Sequence, residues 1–287
     1  MLAILKKEMR TYFTSVSGYG FLAVLLLMTG LFFGLVNIDS GNPYYAGTLQ
    51  QCTILFLILI PVLTMRLFAE EARQKTDQLL YTSPLTVTEI VVGKYLSAVI
   101  LFLIGMAITT IFPVIMAMHG KLPVAETVGA FLGFILLGVC YISVGVFISS
   151  LTESQVIAAV ATFAALFLFI IMDALAAAAP VTRESSAIFL GICAVGLSFV
   201  AYTSTKSKLV GIIFFVLCAI GGTVAFFVNS LLFDGVITKV LNWFSLLNRF
   251  QNFQVGVLDV SDIVYYITFA FAFVFLTVNT IEKRRWK

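Results

Sequence analysis

Long apolar runs recur along this chain and leave it very few ways to fold. Eight segments, near 18–37, 52–68, 94–118, 125–150, 155–178, 186–203, 209–231 and 262–281, are long and apolar enough to cross a hydrocarbon core about 30 Å thick. In that solvent every backbone N–H and C=O needs a partner within the protein, so only helices or a closed barrel can span it. The runs are uniformly apolar and lack the two-residue alternation of barrel strands. The expected fold class is therefore an all-α membrane protein, a polytopic bundle of about eight transmembrane helices. Composition agrees: 61% of the 287 residues are hydrophobic and 11% charged, where a soluble domain has about 25% charged residues. The first run is too long for a cleaved signal peptide, and no small-residue cleavage site follows it.

Charge supplies direction. Lys6, Lys7 and Arg10 precede the first span; Arg66, Arg73, Lys75 and Lys94 lie between the second and third; Lys206 and Lys208 lie between the sixth and seventh; Lys283, Arg284, Arg285 and Lys287 follow the last. With eight spans all of these, thirteen of the 17 basic residues, fall on one face, and only Lys121, Arg183, Lys239 and Arg249 on the other. The positive-inside rule then makes both termini cytoplasmic. The net charge of +3 is a topology signal and calls for no nucleic acid.

Chemistry is conspicuous by omission. Cys52, Cys140, Cys193 and Cys218 sit in or at apolar runs without metal-ligand or CxxC spacing, and read as small packing residues. His119 is the single histidine and falls in a short external loop. No HExxH, GxSxG or triad pattern is present, and Gly93-Lys94 lacks the upstream glycine and the following Ser or Thr of a phosphate-binding loop. No catalytic, cofactor-binding or metal-ligating residue is expected. Ionisable residues within the spans, the usual mark of ion-coupled carriers, are nearly absent. Asp173, late in the fifth span, is the best candidate. The lack of a buried charge network argues against a proton- or sodium-coupled transporter, and energy, if used, must come from elsewhere.

Three segments do not span, and the chain between them is expected to form one membrane domain over 1–287. In residues 1–16, Leu2, Leu5, Met9, Tyr12, Phe13 and Val16 recur at helical spacing, with Lys6, Lys7 and Arg10 largely away from them. That pattern makes an amphipathic helix lying on the cytoplasmic leaflet. The loop over 69–92 is long for a turn between spans. Glu70 and Glu71 precede Arg73 and Lys75 at helical pair spacings, Leu79, Leu80 and Tyr81 add apolar surface, and Pro84 stops that helix. Thr86 and Glu89 form a capping box that starts the next. The external segment 232–259 is too polar to span. Its Ile237, Val240, Leu241, Phe244, Leu247, Phe250 and Phe253 suit packing, or a lid over the bundle. Gly30-xxx-Gly34 and Gly129-xxx-Gly133 permit close helix approach within the chain or across a dimer. Pro61 and Pro113 should kink spans two and three.

The loop carries a resemblance. MRLFAEEARQKTDQLLYTSP from Met65 to Pro84, followed by EIVVGK from Glu89 to Lys94, resembles the coupling region of ABC-2 type exporter permeases, bacterial gliding-motility permeases in particular. That family has in this order a Glu-Glu pair, an Arg-x-Gly-Thr-x-Glu-Leu-Leu run, a Ser/Arg-Pro and a Gly-Lys pair. Here Lys75 stands in place of the Gly, and Gln78, beside Asp77, in place of the Glu. Leu5 to Phe13 is similar to the family's amphipathic first helix, Ser149 to Gln155 to its inner turn between spans four and five, and Phe250 to Tyr266 to the approach to its last span.

The resemblance implies a six-helix core, to which 186–231 would add a hairpin. It implies an exporter permease that pairs with a second copy or a homologous permease and with two ABC ATPase subunits. ATP and Mg would be bound on those subunits and none on this chain, which would not itself be an enzyme. The expected ATPase-coupling residues are Glu70, Glu71, Arg73, Thr76, Asp77, Gln78, Leu79, Leu80, Tyr81 and Pro84. The expected path or gate residues are Pro61, Asp173, Phe244, Phe250 and Phe253. The substrate would be amphipathic or lipid-like, the location the bacterial inner membrane, and the remaining partners membrane lipid and an extracytoplasmic accessory protein. Two other readings are a carrier or channel without an ATPase, and a platform that transmits ATPase motion to external proteins.

Overall fold

A computed structural model describes residues 1–76, 85–120, 122–182 and 235–285, together with 185, 186, 189, 191, 192, 195 and 198. Among these every regular element is helical. The order is α1 (Leu2–Thr14), α2 (Val16–Phe33), a π-helical turn (Gly34–Asp39), α3 (Tyr45–Cys52), a 3₁₀ turn (Thr53–Leu55), α4 (Phe56–Thr64), α5 (Ala69–Gln74), α6 (Val87–Thr109), α7 (Ile111–His119), α8 (Val124–Leu151) and α9 (Gln155–Ala178). After the segment outside the described residues come α10 (Val236–Phe244), α11 (Leu246–Gln254) and α12 (Val260–Arg285).

Among the described residues six stretches are long and apolar enough to cross a membrane: Val16–Asp39, Tyr45–Gln74, Val87–His119, Val124–Leu151, Gln155–Ala178 and Val260–Arg284. They correspond to six of the eight runs read from the sequence. The other two, within 186–231, lie almost wholly outside the described residues. The chain divides into two compact units, residues 1–169 with 246–287, and residues 170–245.

In the larger unit α8 is the hub, packing against α3, α4, α6, α11 and α12. Its small residues let large ones in. The Phe102 ring lies where a Gly138 side chain would stand, and Thr64 does the same at Gly145. An aromatic cluster fills the middle, with Phe56 stacked on Phe134 at 4.6 Å and edge-on to Phe102 and Tyr141. Outer faces remain apolar and exposed, as at Val160, Phe163 and Phe167 of α9 and Ile267, Phe271 and Phe275 of α12. Such faces suit lipid, since lipid tails are as apolar as the side chains they meet.

The prolines lie near breaks. Pro113 is the third residue of α7, so the carbonyl of Thr109 receives no N–H from it, and the helix breaks at Thr110. Pro61 is buried inside α4, in a stretch also interrupted by the 3₁₀ turn. The Gly129-xxx-Gly133 pattern is filled from within the chain: α11 crosses it with the Phe253 backbone at Gly129 and the Phe250 and Phe253 side chains at Gly133. Gly30 meets the Phe112 ring, whereas Gly34 faces open space.

Candidate functional site

α1 buries Ile4, Glu8 and Tyr12, one residue per turn, against α6. This face differs from the apolar stripe of Leu2, Leu5, Met9, Tyr12, Phe13 and Val16 that the sequence sets against the leaflet; only Tyr12 belongs to both. Leu2, Phe13 and Val16 are exposed, and a glutamate occupies the centre of the packed face. Gly93 lets the helices meet, because a side chain there would press on Ile4.

Lys94, the next residue along α6, is the partner that makes a buried glutamate tolerable. Its side chain is 1% exposed, and the ammonium reaches Glu8 Oε1 at 3.0 Å, Glu71 Oε2 at 2.9 Å and the Leu67 carbonyl at 2.6 Å. An ammonium has three protons, and here each finds an acceptor. The Phe68 ring lies 5.2 Å away, within cation–π range. Lys7 approaches Glu71 Oε1 at 2.8 Å from the solvent side. Two acids and two bases therefore form a neutral joint that ties α1, α5 and α6 together. Burial opposes the charge on Lys7, but the hydrogen bond and charge of Glu71, with Glu8 close by, outweigh it and raise its pKa above the ordinary lysine value.

α5 is held from behind as well. The Ser149 hydroxyl, at the end of α8, accepts from the Phe68 and Ala69 amides at 3.2 and 3.3 Å and lies 3.3 Å from the Met65 carbonyl. It serves as an N-cap supplied by another helix. α5 ends at Lys75 with φ 55°, left-handed backbone that favours glycine. At the start of α6 the capping box appears as read: the Thr86 hydroxyl accepts from the Glu89 amide, and the Glu89 carboxylate accepts from the Thr86 amide, both at 3.2 Å. A cavity of about 440 Å³ beside the joint is lined among others by Thr11, Ser17, Arg66, Glu70 and Gln74.

A second ionic cluster joins α11 to the start of α12. Arg249 pairs with Asp262 at 2.6 Å, Asn252 donates to the same carboxylate at 2.8 Å, and the guanidinium lies 3.9 Å from the Tyr265 ring centre. Both clusters correct the expectation that no buried charge network exists. They sit at helix ends and on short helices, where span-by-span reading does not look.

The expected coupling residues divide. Glu71 faces inward to Lys94 and Lys7 in place of Lys75, its i+4 neighbour. Glu70 is half-buried beside the cavity, and Arg73 and Thr76 are exposed. Asp77, Gln78, Leu79, Leu80, Tyr81 and Pro84 lie outside the described residues. Of the expected path residues, Phe250 and Phe253 are brought together at Gly133 of α8. Pro61 is within α4; Phe250 and Phe253 are 1% and 0% exposed against α8. In the smaller unit Asp173 accepts a hydrogen bond from Ser245, and Phe244 is exposed. Glu8 and Asp262 were not singled out by sequence reading; Lys7 and Arg249 entered it only as charges that set topology, and Ser149 only as the start of an inner turn.

The family pattern described as ABC-2 family transporter protein matches residues 35–186, more than half of the chain. The chain belongs to the ABC-2 transporter family. Membership makes it a multi-pass membrane transport protein, and in general implies partnership with ABC ATPase subunits. The matched stretch of this ABC-2 transporter holds Glu71 and Lys94 of the joint, while Glu8 and Lys7 precede it. No curated protein and no solved structure matched the chain.

Proposed function

We propose that the chain is the permease subunit of an ATP-driven exporter of the gliding-motility type in a bacterial inner membrane, with α1 and α5 on the cytoplasmic side. The observation that carries this reading is the Glu8–Lys94–Glu71 joint. A six-residue helix at a membrane surface has little stability of its own, yet α5 is pinned by a buried ion cluster and by a cap from the hub helix. An element so fixed transmits a push rather than absorbing it. Two ABC ATPase subunits, which bind ATP and Mg, would press on the stretch from Arg73 through Leu79, Leu80 and Tyr81. Glu71 would pass the movement to α6 through Lys94 and to α1 through Lys7 and Glu8. A second permease copy completes the assembly, and the cargo is amphipathic or lipid-like.

Purification of the intact chain from native membranes tests the class, with a P-loop protein as the expected companion. Leu79→Asp with Leu80→Asp should release that companion. Glu71→Gln should leave it bound while lowering ATP turnover severalfold. Absence of a P-loop companion, or unchanged turnover in Glu71→Gln, contradicts the reading.

A further inference from the structure

α1 has a surface that the joint does not use. Its residues fall into three sectors around the axis. Ile4, Glu8 and Tyr12 face α6. Next come Leu2, Leu5, Met9 and Phe13, of which Leu2 is 75% and Phe13 38% exposed. The third sector is basic: Lys6 and Arg10 are exposed and form no ion pair among the described residues, while Lys7 on its edge turns to Glu71. A recess of about 510 Å³ here is lined by Ala3, Lys6, Lys7, Arg10, Thr11 and Thr14. It holds three cations and no carboxylate, whereas the joint is neutral.

We propose that Lys6 and Arg10 bind the headgroup of an anionic phospholipid. At about 100° per residue, Lys6 and Arg10 lie roughly 60° and 100° round from the centre of the apolar sector, on the side away from α6. A helix that rests its apolar sector in the acyl boundary holds residues at such angles level with the headgroups. The cations and the exposed Leu2 and Phe13 then serve one occupant, with a phosphate for the first and chains for the second. A soluble protein docked on the basic sector would leave Leu2 and Phe13 uncovered. Because Glu8 and Lys7 leave the same helix on its other side, a lipid that seats α1 also steadies the joint. That consequence rests on the proposed coupling role; the lipid site does not.

The test uses the full chain alone in detergent, without an ATPase, and counts bound lipid by native mass spectrometry. Phosphatidylglycerol and phosphatidylcholine of equal chain length compete for it. The wild type should prefer phosphatidylglycerol, and Lys6→Gln with Arg10→Gln should lower that preference roughly tenfold, since each surface cation contributes severalfold. Lys6→Arg with Arg10→Lys keeps both charges and should keep the preference, which separates charge loss from misfolding. Excess inorganic phosphate should not displace the lipid; displacement would mean a free-anion site. An undiminished preference in the Gln variant overturns the proposal. So does an unchanged lipid count together with loss of a copurifying protein, which would assign the basic sector to a protein partner.

Discussion

Lys94 directs its three protons to acceptors on α1, on α5 and on the turn between α4 and α5, so its removal leaves two buried carboxylates with Lys7 alone. Lys94→Met should destabilise the detergent-solubilised chain by about 3–5 kcal/mol, read from chemical unfolding. Glu8→Gln should cost less, about 1–3 kcal/mol, because the lysine keeps Glu71 and Leu67. The double variant should fall short of the sum by about 1–3 kcal/mol; strict additivity would show that the two residues do not interact. None of this was legible locally. Glu8 counts as a charged residue on an amphipathic helix and therefore as solvated, and its partner is 86 residues away. Lys75 was half legible. The resemblance marks it as standing in a glycine position, and the backbone there is left-handed. Lys75→Gly should raise stability by about 1 kcal/mol, seen as a higher unfolding midpoint. An equal or lower midpoint would mean that the lysine side chain has a compensating contact.

Elements were read more surely than their faces. The capping box, the helix after it and the turn between α8 and α9 follow from short-range chemistry and were visible in the residues. The sides on which α1 and α11 pack depend on distant partners. The glycines of α8 show the difference: spacing said that something approaches closely, and the structure supplies α11 as the visitor. Any side chain at Gly133 collides with Phe253, whose Cβ would lie 2.7 Å away, and with Phe250. Gly133→Ala should therefore destabilise by about 1–3 kcal/mol through overpacking. Gly34→Ala, with nothing nearby, should not destabilise the chain. Equal unfolding midpoints for the two variants would remove α11 from its place on α8.

At the scale of the whole chain, the charge sorting predicts eight spans, and the six long helices agree in kind with six of them. The extra hairpin at 186–231 falls almost wholly outside the described residues and rests on the two apolar runs and the sorting. Single cysteines at Lys121, Lys206 and Lys239 should therefore label from outside, inside and outside respectively; external labelling at Lys206 would delete the hairpin and bring the count to six. The two kinds of charge on α1 carry a further consequence, in ionic strength. Mobile salt reaches exposed ions and weakens their fields over about 10 Å at 0.1 M, but scarcely touches a group closed off from water. Lys94 is 1% exposed, whereas the Lys7 side chain is 55% exposed and Lys6 and Arg10 lie at the surface. Rising salt should thus slacken the outer grip of α1 and soften the Lys7 arm, while the Lys94 arm holds. Brine peels this helix from its outer edge inward.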